Sequence, residues 1–168
     1  MKILKEYNGY QLIKRYEKPY LRFWGGRDEN MICEFPITTE EEERTLQNPS
    51  VIKELLIKAK TQIPWTVESF YRIGIMEFLQ HRANLSEKRA EYSYQKLARH
   101  SDIRKEFYFY IMNNDAFPKN LITIEGFTAK RLITEYPFAP SGAYLYLVYL
   151  REKPKEALDN LKYHLPRK

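Results

Sequence analysis

The chain is short of most of the residues on which metal, redox and nucleotide chemistry rest. It has one cysteine in 168 residues, Cys33, which excludes an internal disulfide and any multi-cysteine zinc site. Its three histidines, His81, His100 and His164, lack the i, i+3 or i, i+4 partners that metal-binding helices use, so no metal and no cofactor are expected. Among six glycines the only doublet is Gly25-Gly26, which lacks the Lys-Ser/Thr that follows a phosphate-cradling loop and more simply makes a turn. Long apolar runs are missing too. The longest, Ala143 to Leu150, has eight residues, against the roughly 18 to 20 of a membrane-spanning helix. The first thirty residues hold no apolar stretch of the secretory kind, so a cytoplasmic location without membrane contact is the expectation.

Charge of one sign is not concentrated anywhere. The net charge of +6 comes from 28 basic and 22 acidic side chains, and no Lys/Arg run exceeds two residues. Residues 1–48 carry 8 basic and 9 acidic groups, residues 49–118 carry 11 and 8, and residues 119–168 carry 9 and 5. The basic bias is C-terminal and mild, as on an ordinary solvated surface, whereas nucleic-acid arms cluster their cations to release counterions together. What the chain does have is apolar and aromatic substance: 43% hydrophobic residues, with Tyr 14, Phe 9 and Trp 2. That is enough to bury a core and excludes compositional disorder.

Asn8-Gly9, between two runs rich in β-branched and aromatic residues, predicts a type I′ hairpin. A turn at Glu17-Lys18-Pro19 and a polar loop after Gly25-Gly26 complete a four-strand antiparallel meander over residues 1–36. Met31, Cys33 and Phe35 then share one face, with Cys33 packing as a small hydrophobe. Helical spacing follows over residues 38–114. A capping box is expected from Thr39 to Glu42, Asn48-Pro49 opens a second helix, and Ile63-Pro64-Trp65 breaks it. Thr66 starts a third, Ser86 or Glu87 a fourth, and an interruption falls near His100-Ser101. Tyr94, Leu97 and Ala98 face one way. Leu121 to Ile124 suits a short strand, and Gly126 opens the final section. There Thr128 caps a short helix stopped by Pro137, Pro140-Ser141 starts the next, and Pro154 the last, with a frayed tail at Pro166-Arg167-Lys168. Ala143 to Leu150 is apolar all round, and its flanking start signals favour helix over strand.

No catalytic set is legible. His100, Ser101 and Asp102 spell the letters of a triad, but neighbouring residues on a helix diverge by about 100° and cannot relay a proton. Basic residues mingle with aromatics in the meander: Lys14, Arg15 and Arg22 among Tyr7, Tyr10, Tyr16, Tyr20, Phe23 and Trp24. These are the residue types of a base-stacking platform, and equally of a sheet with one buried face. Residues 128–150 resemble a helix-turn-helix, on Thr128-Ala129-Lys130-Arg131-Leu132 and Pro140-Ser141-Gly142-Ala143-Tyr144 through Leu147 and Leu150. That resemblance implies DNA contacts from Lys130, Arg131 and Ser141. Its second helix, however, places Leu145, Tyr146 and Tyr149 where base-reading polar residues belong. Glu125-Gly126-Phe127-Thr128-Ala129, Gly142-Ala143-Tyr144 and Leu165-Pro166-Arg167-Lys168 give the chain a likeness to small hypothetical proteins of Gram-positive bacteria. That likeness implies a bacterial cytosolic setting and assigns no site residue.

The expectation is an α+β protein. Its first domain, residues 1–125, packs the meander (1–36) on helices (38–114), and residues 126–168 form a small helical subdomain. Tyrosine supplies large contact area at low entropic cost. The leading functional expectation is therefore a protein-interaction or self-associating module, with Tyr144, Tyr146 and Tyr149 as the contact surface. DNA binding through residues 128–150 is the alternative, and an enzyme whose groups converge only in the fold is a third reading.

Overall fold

In a computed structural model, residues 1–25 and 31–164 are described; Gly26 with the polar loop that follows it, and the tail Pro166-Arg167-Lys168, lie outside them. The chain is α+β: a four-stranded antiparallel sheet followed by eight helices among the described residues. It divides into two compact units, Met1–Ile73 and Gly74–Lys168.

The first unit holds β1 (Lys2–Tyr7), β2 (Tyr10–Arg15), β3 (Lys18–Gly25) and β4 (Met31–Pro36), paired in chain order, then α1 (Thr39–Gln47) and α2 (Val51–Gln62). The two tight turns reverse the expected chemistry. At Asn8-Gly9 only Gly9 has positive φ, 80°, so the turn is not type I′. The I′ signature falls instead on Tyr16 and Glu17, with φ of 54° and 60°, between the paired residues Arg15 and Lys18. Here the twist of the sheet overrides residue preference. The strand alternation places Leu12, Leu21, Phe23, Cys33 and Phe35 on one face, where they form a core with Ile52, Leu55 and Ala59 of α2. Cys33 is buried as expected, and loss of hydration pushes its thiol up to about 12, with Glu34 adding to the effect. The box at the start of α1 sits one residue earlier than expected: Thr38 accepts from the Glu41 amide at 3.1 Å, and Glu41 accepts from the Thr38 amide at 2.8 Å.

α3 (Val67–His81) begins in the first unit and continues into the second, which also holds α4 (Glu87–Ala98), α5 (Ser101–Met112), α6 (Ala129–Glu135), α7 (Pro140–Glu152) and α8 (Pro154–Leu161). Ala143 to Leu150 is helical, as its flanking signals imply, and lies within α7. α7 packs against α4, α5, α6 and α8, and every residue from 141 to 150 is buried or half-buried. Residues 126–168 thus pack through α7 against α4 and α5. The short strand expected at Leu121 to Ile124 reduces to a single bridge. Ile124 and Phe127 exchange two 2.9 Å backbone hydrogen bonds around Glu125 and Gly126, both at positive φ. No helix of the described residues is long and apolar enough to cross a membrane.

Candidate functional site

The three tyrosines of α7 serve the helical unit itself. Tyr144 is fully buried, its ring stacked 4.7 Å from Phe107, and its hydroxyl donates to Glu106 at 3.3 Å. Burial drives its pKa far above the tyrosine range, with Glu106 adding to the effect. Tyr146 is half-buried and donates to the Ala157 carbonyl at 2.6 Å, while the Tyr149 hydroxyl accepts from Asn160 at 2.8 Å. Their hydroxyls therefore fasten α7 to α5 and α8. Burial removes Tyr144 from any contact surface.

The residues expected to meet DNA are not gathered into one face either. Lys130 is exposed, but Ser141 is buried. Arg131 is engaged locally, 2.8 Å from Glu135 and 3.1 Å from the Gly126 carbonyl, with its guanidinium 4.7 Å over Phe127. The second helix packs against four neighbours, and its Gly142, Leu145, Tyr146 and Tyr149 are half-buried. His100, Ser101 and Asp102 diverge as argued. His100 meets Glu152 at 2.9 Å, whereas Asp102 takes a bidentate pair from Arg151 at 2.6 and 2.7 Å. Among the described residues, no group of three or more His, Cys, Asp or Glu is placed to hold a metal ion.

The base-stacking platform also loses its cations. Arg15 lies 3.1 Å and Arg22 3.7 Å from the buried Glu34 carboxylate, and Lys14 lies 3.2 Å from Glu42. The ion pairs with Glu34 hold Arg15 and Arg22 inside the fold, whereas Lys14 is half-buried.

The first unit holds an aromatic cleft of about 360 Å³, lined among others by Tyr10, Phe23, Leu56, Lys60 and Trp65. Three local features build it. Tyr10 and Phe23 are cross-strand partners on β2 and β3, so their rings share a face, 6.4 Å apart. Leu56 and Lys60 stand one turn apart on α2. The Ile63-Pro64-Trp65 break then ends α2 and lays Trp65 against Phe23, the rings stacked at 5.2 Å and 20°. Phe70 meets both rings edge-on, at 5.9 Å from Phe23 and 6.1 Å from Trp65. Trp65 is nevertheless 40% exposed, and the Lys60 ammonium sits 4.9 Å over its ring. No carboxylate of the described residues pairs with Lys60.

Sequence reasoning assigns Trp65 only the role of a helix breaker. The pairing that makes it a wall of the cleft joins residues 23 and 65, and no local pattern signals a contact across that separation. No family model matches the chain, nor does any curated protein or solved structure.

Proposed function

We propose that this chain is a binding protein whose partner is another protein, engaged at the cleft of Tyr10, Phe23, Leu56 and Trp65. The partner presents one aromatic or bulky apolar side chain with a carboxylate close by. The observation that carries this reading is the Phe23–Trp65 stack, which opens onto a cleft of about 360 Å³ with Lys60, unpaired among the described residues, in its lining. Aromatic anchors seated in preformed pockets dominate protein-interface energies. A cation held over an indole and paired with no carboxylate among the described residues favours a partner that brings one. Exposed large apolar side chains support the same unit: Met1, Ile3, Trp24, Leu46, Ile57, Trp65 and Val67 all belong to the first 73 residues.

The test is selection of a random peptide library on the full chain, followed by affinity measurement. Selected peptides are expected to share an aromatic residue next to an acid. Trp65→Ala should weaken them by about 30-fold, the loss of one anchor worth about 2 kcal/mol. Lys60 is exposed, so Lys60→Glu leaves the fold intact and should turn the acidic preference into a basic one. Peptides that bind both variants as tightly as the unmodified chain would refute the assignment.

A further inference from the structure

A second surface of different chemistry lies in the helical unit. α4 buries Ala90, Ser93, Tyr94 and Leu97. At about 100° per residue, the opposite arc holds Lys88, Arg89, Tyr92, Gln95, Lys96 and Arg99, and no carboxylate. Glu87 and Glu91 fall at its margin, where Glu91 accepts from Gln95 at 2.7 Å. Arg99 turns to Glu152 at 3.1 Å, and Lys96 is within Coulombic reach of the same carboxylate. Lys88, Arg89 and Lys96 form no ion pair with any described residue. Among them stands Tyr92, 65% exposed on the same helix that buries Tyr94, with the Lys96 ammonium 4.5 Å from its ring.

We propose that this face of α4 binds single-stranded nucleic acid, with Tyr92 stacking on a base and Lys88, Arg89 and Lys96 meeting the phosphates to either side. Lys88, Tyr92 and Lys96 succeed one another at one helical turn each, about 6 Å apart along the axis. A base on the ring therefore has a cation above and below it. An exposed aromatic flanked by cations is the arrangement that tolerates any sequence, since every base offers a π-face and every nucleotide a charge. A duplex hides its base faces, and an acidic peptide has no need of the ring. Single strands are thus the better chemical fit. The surface shares no residue with the aromatic cleft, and either assignment stands or falls without the other.

The experiment is fluorescence anisotropy of a labelled, mixed-sequence oligonucleotide of about 12 nucleotides against the full chain, across a salt series. Three phosphate contacts give a log–log salt slope near −2. Lys88→Glu/Lys96→Glu should weaken binding at least tenfold and flatten that slope. Tyr92→Ala should cost about tenfold with the slope unchanged, because stacking carries no counterion release. Lys88→Glu alone is compared with Lys155→Glu, which makes the same charge change at an exposed position of α8 and should leave affinity near that of the unmodified chain. Lys88, Tyr92 and Lys155 are exposed and Lys96 is half-buried, and an unchanged thermal transition in each variant confirms that it folds. Absence of salt-dependent binding overturns the proposal, as does an equal loss from Lys155→Glu. Full affinity in Tyr92→Ala, with polyglutamate competing as well as the oligonucleotide, also overturns it and marks the face as an acidic-protein surface.

Discussion

Glu106 is the one carboxylate of α5 placed inside the helical unit, only 5% exposed, and two donors reach it: the Ile122 amide at 2.7 Å and the Tyr144 hydroxyl at 3.3 Å. Loss of hydration raises its pKa first, the two hydrogen bonds oppose that, and Asp102 adds a smaller upward push. The folded state thus holds this proton more firmly than the unfolded chain does. Its contribution is fully present below the ordinary glutamate pKa and is lost as pH rises through the raised value. Glu106→Gln keeps an acceptor for Ile122 and gives Tyr144 a donor in place of a charge. Urea unfolding of both proteins from pH 3.5 to 8 should show the variant gaining on the parent as pH rises. The gain is about 1.4 kcal/mol for each pH unit that separates the folded and unfolded pKa values of Glu106. A gap that stays flat over that range contradicts the assignment.

Among the elements, α3 carries a glycine that its own propensity argues against. An exposed mid-helix glycine costs about 1 kcal/mol relative to alanine. At Gly74, however, an added Cβ would fall 2.6 Å from Met112 Cε and 2.8 Å from the ring of Tyr108, both buried on α5. The methionine tip has room to shift, whereas the buried ring gives way only at a packing cost of about 1 to 3 kcal/mol. Gly74→Ala is expected to lower the thermal midpoint despite the better helix former, and a raised midpoint would show that propensity wins. The same competition explains what was legible along the chain. Helix starts at Thr38, Thr66, Ser86 and Thr128 are written in local hydrogen-bonding residues, and they appear at or within one residue of where the sequence places them. Turn type was less legible, since Tyr16 and Glu17 adopt the left-handed conformation that Asn8 is better suited to supply. The outward side of α4 is implied by the positions of Tyr94 and Leu97, but the wall that Trp65 gives the cleft depends on a partner in β3.

On the scale of the molecule, the division at residues 73 and 74 has a direct consequence for truncation. α7 supplies Tyr144 and Leu147 to the core that Phe107 and Leu97 occupy from α5 and α4. A chain ending at residue 125 would expose those side chains to water. Each fully buried residue of this size is worth about 1.5 to 3 kcal/mol, so α4 and α5 are expected to lose their amide protection from hydrogen exchange. Retained protection there would show that residues 126–168 fold as a separate domain. The α+β class was legible because strand alternation gives way cleanly to helical spacing near residue 37. The division into two compact units was not, because it falls inside the continuous helix α3, where no proline, glycine cluster or charge run marks it. The sheet's arrangement bears on synthesis as well. Its strands lie side by side in the order they are made, so each finds its neighbour only a short loop upstream. Hairpins close within about 1 to 10 μs, whereas translation adds about 5 to 20 residues per second. Strand by strand, pairing can keep pace with the ribosome, and the interval in which a bare edge is free to meet another nascent chain stays short.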